Sequence, residues 1–128
     1  MTDKVIVGLV VAQPVKDSDQ PLSEIEKYTQ GPKAEVILFP EDHIYTEKLP
    51  DLQAIARQRG KWIISGMQDL EDCSPKFKKA AVVNPQGELV GLHVKTSLTY
   101  NELSKGFTNG ERLDVFQTDF GTIGVSIC

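Results

Sequence analysis

With 128 residues, 40% of them hydrophobic and 25% charged, the chain is long enough for one domain with its own core and is not of disordered composition. Its formal net charge of −4 comes from 14 Lys and Arg against 18 Asp and Glu, with no dense basic run, which argues against nucleic acid as a partner. Two cysteines, Cys73 and Cys128, in no Cys-x-x-Cys pair, exclude a disulfide framework, disfavour a zinc site and point to a reducing, cytoplasmic setting.

The first apolar run, VIVGLVVA (Val5 to Ala12), is too short to span a membrane and lacks the flanks of a leader peptide. Its unbroken β-branched character predicts a strand covered on both faces. In DSDQPLSEIEKYTQG, Asp19 or Gln20 caps a short helix, Pro21 opens it, and Leu22, Ile25 and Tyr28 form its apolar side, with Gly31 closing it. AEVILFP predicts a second buried strand ended by Pro40, followed by a loop, EDHIYTE. LPDLQAIARQRG places Leu49, Leu52, Ile55 and Ala56 on one helical face and stops at Gly60. KWIISGM is the third strand, so the first half is a β-α-β-α-β run and its sheet is parallel.

The second half changes character. KKAAVVNPQGELVGLHVK predicts two strands, about Lys79 to Val83 and Leu89 to Val94, joined by the turn NPQGE. A long polar loop, TSLTYNELSKGFTNGE, follows. The chain then reads as a hairpin around Thr118 to Gly121, whose last stretch, GTIGVSIC, predicts a buried strand carrying a thiol at its tip. There is no internal repeat, linker or domain boundary.

Three strand ends carry reactive groups: Glu41 after LFP, Lys95 after LHV and Cys128 after VSI. Open α/β sheets place ligands at such ends. A thiol, a carboxylate and an ammonium suit attack on a carbon bonded to nitrogen. The carboxylate takes the thiol proton and returns it to the departing amine, while the ammonium stabilises the oxyanion. Taken singly, each residue also has an ordinary reading: a solvated Glu, a surface Lys and a small buried hydrophobe. His43 and His93 share no metal-ligand spacing with each other or with a carboxylate.

Together, ILFPE, GELVGLHVKTSL and GTIGVSIC resemble the nitrilase, or carbon–nitrogen hydrolase, superfamily, whose members carry a Glu–Lys–Cys triad in this chain order. WIISGM, AAVVNPQGELVG and GFTNGERLDVFQTDF extend the resemblance over essentially the whole chain. It implies an α/β fold: half of a four-layer α-β-β-α sandwich with a parallel or mixed sheet. It implies Glu41 as general base, Lys95 as the oxyanion-stabilising ammonium, Cys128 as nucleophile, and Glu102 of TYNELSKGF as the second glutamate that many members use. No metal or organic cofactor is implied. The substrate would be a small amide, carbamoyl or nitrile compound, amide before nitrile, and the assembly a homodimer or larger. Ser97 departs from the pattern, standing where a His often follows the Lys by two positions.

Members of the family run to about twice this length. Residues 1–128 are therefore expected to form a partial domain without its usual second half. The backbone N–H after the nucleophile, which serves the oxyanion, lies beyond Cys128. The isolated chain is expected to be a poor catalyst, and the competing reading is a non-catalytic interaction module that works as an assembly.

Overall fold

The computed structural model of the protein describes residues 4–12, 20–31 and 33–128. The β-α-β-α-β expectation holds. Strands β1 (Val7–Leu9), β2 (Val36–Leu38) and β4 (Trp62–Gln68) pair in parallel, with helices α1 (Gln20–Tyr28) and α2 (Leu49–Arg59) in the crossovers. The segment after β2 also holds a two-residue strand, β3 (Ile44–Tyr45), which pairs in parallel with the far end of β4. Strands β5 (Lys78–Val83) and β6 (Leu89–Val94) then continue antiparallel, giving the order β1-β2-β4-β5-β6 in one mixed sheet.

Local chemistry explains the boundaries. Helix α2 has Pro50 in its first turn and ends at Gly60, whose φ of 63° is the left-handed cap conformation that glycine adopts without Cβ strain. The Gly60 N–H donates to the carbonyl of Ala56 at 2.9 Å. Between β5 and β6, the Asn84 side-chain oxygen accepts from the N–H groups of Gln86 and Glu88 at 3.0 and 2.9 Å, which closes the NPQGE turn.

Alternation along the strands sorts the core into two clusters. Ile37, Ile63, Met67, Ala81 and Val83 face the helices and pack with Ile25, Leu52, Ile55 and Ala56. Val36, Trp62, Ile64 and Val82 face the other way, where a separate hairpin, β7 (Val115–Thr118) with β8 (Gly121–Gly124), lays Phe116 against them. Gly91 of β6 makes room for that ring, since a Cβ there would strike Phe116.

Four expectations change. VIVGLVVA is not covered on both faces: Val7 and Leu9 are 49% and 70% exposed, because among the described residues β1 is an edge strand and nothing packs on that side of it. GTIGVSIC is not a buried strand either. β8 belongs to the small outer hairpin, only Ile123 and Val125 lean on the core, and residues 125–128 leave the ladder. Tyr28 of α1 is exposed, and Thr29 takes its place inside, donating its hydroxyl to the carbonyl of Ile25 at 2.7 Å. The polar loop after β6 contains a one-turn helix, α3 (Tyr100–Ser104). The proposed cap Asp19 lies outside the described residues.

Candidate active site

The C-terminal ends of the parallel strands gather charge. Glu41 follows Pro40 at the end of β2, and Asp42 follows it in a left-handed conformation with φ 56°. The turn lies directly against Gly66 of β4. A Cβ on Gly66 would sit 2.6 Å from the Glu41 Cα and 2.7 Å from the Asp42 nitrogen, so only glycine lets this turn settle there. The Gly66 N–H then donates to the Pro40 carbonyl at 3.1 Å.

Lys95 stands one residue past β6. Its N–H donates to the Lys78 carbonyl at 2.9 Å, and its own carbonyl accepts from Gly110 at 2.8 Å, so its backbone is pinned on both sides. The side chain is fully buried. Its Nζ donates to Glu41 Oε1 at 2.6 Å, to Glu102 Oε1 at 2.8 Å and to the carbonyl oxygen of Cys128 at 3.2 Å. Three acceptors match the three protons of an ammonium, which is what a buried lysine requires. Burial pulls its pKa down, but the hydrogen bonds and charges of Glu102 and Glu41 outweigh this and hold it above its ordinary value of 10.5.

Glu102 uses both carboxylate oxygens. Oε2 accepts from the Thr99 N–H at 2.8 Å while the Thr99 hydroxyl accepts from the Glu102 N–H at 3.2 Å, a capping box that starts α3. Oε1 is thereby aimed at Lys95. Burial pushes the Glu102 carboxyl up, yet Lys95 and the Thr99 contacts prevail and hold it below its ordinary value of 4.5. Glu41 is more open, its side chain 37% exposed against 14% for Glu102.

Glu41, Lys95 and Glu102 therefore meet, and the backbone of Cys128 joins them, its residue exposed at the open side. Cys73 sits in the turn after β4 and is also exposed. His43 is a core residue, stacked on Phe39 with ring centroids 5.1 Å apart; burial lowers its pKa against the opposing pull of Glu24. His93 is buried on β6. Among the described residues no group of three or more His, Cys, Asp or Glu side chains is arranged to hold a metal ion, and no helix is long and apolar enough to cross a membrane. An open cavity of about 630 Å³ lies at the other end of the sheet, where Lys33, Arg59, Lys61 and Trp62 line the N-terminal ends of β2 and β4.

Two members of the cluster escaped sequence reading: Lys78, which is buried and ion-paired with Asp42, and Asp42 itself. Lys78 sits in KFKK, where it looks like one of several surface lysines. Strand alternation puts it on the same face as Val82 and beside Lys95, a signal that becomes readable once the register is known.

The chain matches the family described as carbon–nitrogen hydrolase over residues 6–128. It is 31% identical over 103 residues to omega-amidase NIT2-A of Xenopus laevis, covering 70% of this chain and 36% of that protein; omega-amidase NIT2 of Xenopus tropicalis matches at 30% with the same coverage. Among solved structures, a carbon–nitrogen hydrolase from Helicobacter pylori G27 superposes with a TM-score of 0.84 at 14% identity, over 97% of this chain and 51% of that one. An amidase from Nesterenkonia sp. AN1, with acrylamide added to its active-site cysteine, superposes at 0.80 and 19% identity, over 98% and 57%. The chain thus spans little more than a third of these curated relatives and about half of the solved structures.

Proposed function

We propose, from the premise that this chain belongs to the carbon–nitrogen hydrolase family, that it carries the catalytic residues of an amidase acting on small, non-peptide amides. The observation that supports this best is a buried ammonium, Lys95, held at 2.6 and 2.8 Å by two carboxylates and at 3.2 Å by the carbonyl of a residue whose side chain is a thiol. Membership in the family and the amidase names of its relatives favour amide over carbamoyl or nitrile substrates.

In the proposed mechanism Glu41, the more exposed carboxylate, takes the proton of the Cys128 thiol. The thiolate attacks the amide carbon, and the carbonyl electrons move onto oxygen, next to the Lys95 ammonium. Collapse of this intermediate breaks the C–N bond, Glu41 returns the proton to the leaving amine, and ammonia departs from a primary amide. Water, deprotonated by the same carboxylate, hydrolyses the thioester and regenerates the thiol. Glu102 keeps Lys95 charged and aimed. Neither step needs a cofactor. The thiol chemistry suits a reducing, cytoplasmic setting, and an assembly of two or more copies is part of the proposal.

The test is ammonia release from butyramide by the purified protein, compared with Cys128→Ala, alongside iodoacetamide labelling of Cys128 and Cys73 followed by peptide mass spectrometry. Hydrolysis lost in the variant, with Cys128 labelling faster than Cys73, supports the reading. Equal labelling of the two exposed thiols sinks the nucleophile assignment.

A further inference from the structure

We infer that Lys78 and Asp42 are a positioning pair that holds both site carboxylates on Lys95. This rests on the amidase reading for what the site does, and on geometry for how the site is held. Five charged side chains alternate in sign from Glu41 round to Asp42. Glu41 accepts from Lys95 at 2.6 Å, Lys95 donates to Glu102 at 2.8 Å, Glu102 Oε1 lies 3.8 Å from Lys78 Nζ, and Lys78 is ion-paired with Asp42. The ring is closed covalently, because Asp42 is the next residue after Glu41.

Lys78, like Lys95, joins segments that are far apart in the chain. It stands at the start of β5, its carbonyl accepts from the Lys95 N–H, and its ammonium reaches the turn after β2 on one side and α3 on the other. Its head lies 4.8 Å from the centre of the Phe107 ring, which Lys76 also approaches, at 4.4 Å. The Lys76 ammonium is turned away to Glu71, at 3.1 Å, so it does not serve the ring of charges. Asp42 occupies a left-handed backbone conformation that non-glycine residues seldom hold unless their surroundings demand it. Its Oδ2 is on Lys78, and its Oδ1 is buried without a partner among the described residues. The ion pair thus adds a side-chain tie from the Asp42 turn to β5, beside the backbone bond from Gly66 to Pro40, and that turn carries Glu41.

Charge points the same way. Two ammoniums face three carboxylates, an excess of one negative charge. Without Lys78 the excess is two, which disfavours ionisation of the remaining carboxylates and of the thiol of Cys128, the residue whose backbone carbonyl meets Lys95. Lys78 touches none of the reacting atoms; it acts through Asp42 and Glu102.

The experiment follows iodoacetamide alkylation of Cys128 against pH in the purified protein, with Cys73 as internal reference and butyramide hydrolysis measured in parallel. Lys78→Met should slow Cys128 alkylation at neutral pH about tenfold and move its profile to higher pH, since one pKa unit is a factor of ten in ionisation. Cys73 should not change. Lys78→Arg should restore the profile, and Lys78→Met combined with Asp42→Asn, which leaves no unpaired half-buried carboxylate, should lie nearer the parent than Lys78→Met alone. In hydrolysis, kcat should fall with little change in KM. If Lys78→Met does not fold, the Arg and double variants carry the same readout. A Lys78→Met profile that superposes on the parent, or a double variant no better than the single with no rescue by Arg, overturns the inference. Parent protein that leaves butyramide intact while its alkylation profile responds as described turns the reading of this chain from amidase to the competing non-catalytic module and leaves the positioning pair standing.

Discussion

The two faces of the sheet are neutralised in different ways. Toward the helices, Ile37, Ile63, Met67, Ala81 and Val83 bury apolar surface against α1 and α2, and stability there comes from removing hydrocarbon from water. On the opposite face, Lys78, His93 and Lys95 are as buried as any core residue, yet Val7 and Leu9 lie open on β1. Burial of a lysine is tolerable only where acceptors match its protons. That face is therefore divided between a charge cluster that must be satisfied bond by bond and an apolar strip still in contact with solvent. A site for polar chemistry can be dry at its centre only if its own residues, rather than bulk water, complete the hydrogen bonds.

Breaking the helix face should cost the most. Leu52 is fully buried in α2, and Leu52→Ala should lower stability by about 2–5 kcal/mol in urea unfolding, the range for a leucine truncated in a packed core. On the other face, Lys95→Gln removes the ammonium and leaves two carboxylates facing each other. If the proposed mechanism holds, amide hydrolysis falls by about 10²–10³, the usual cost of one oxyanion donor. A kcat within threefold of the parent would show that Lys95 is structural only.

Titration sharpens the contrast, because the cluster around Lys95 is held by ionic hydrogen bonds. The folded pKa of Glu102 is depressed, so its contribution is present above about pH 4.5 and is lost as the pH falls through the lower folded value. Asp69, which accepts from Lys79 and Thr46 at 2.8 Å, is likewise held below 3.8 and adds to the loss on the acid side. Lys95 has the opposite sign: its contribution is present below 10.5 and is lost as the pH rises through a higher folded value. Thermal unfolding scanned from neutral to acid pH should show a shallower decline in Glu102→Gln than in the parent. An unchanged slope would remove Glu102 from the balance.

The smallest effect is expected at the open strip. Leu9 is 70% exposed, so Leu9→Ser should change stability by no more than about 0.5 kcal/mol. A loss of 2 kcal/mol or more, dependent on protein concentration, would mean that copies of the chain cover this strip when they associate.

Several features were legible in residue order alone. Periodicity 3.6 in LPDLQAIARQRG, with Gly60 as its stop, marked α2, and the apolar runs before Glu41 and Lys95 marked β2 and β6, because local propensity and burial agree there. Thr99-x-x-Glu102 was a readable capping box inside what looked like a loop, but its brevity hid it. Tyr28 was misplaced because the face of α1 runs through Ile25 to Thr29, four residues on, where the hydroxyl could be satisfied by the helix itself.

The order of Glu41, Lys95 and Cys128 along the chain, and the family they resemble, were thus determined by the sequence, since reactive residue types and apolar spacing are properties of the chain. Which carboxylate sits nearer solvent, that Lys78 and Asp42 close the ring, and that β1 and β8 are edges rather than core were decided only by tertiary structure. The physical reason is register. Whether a lysine in KFKK meets water or a carboxylate depends on which strand lies beside it, and residues 36 positions apart, such as Asp42 and Lys78, meet only when the sheet has formed.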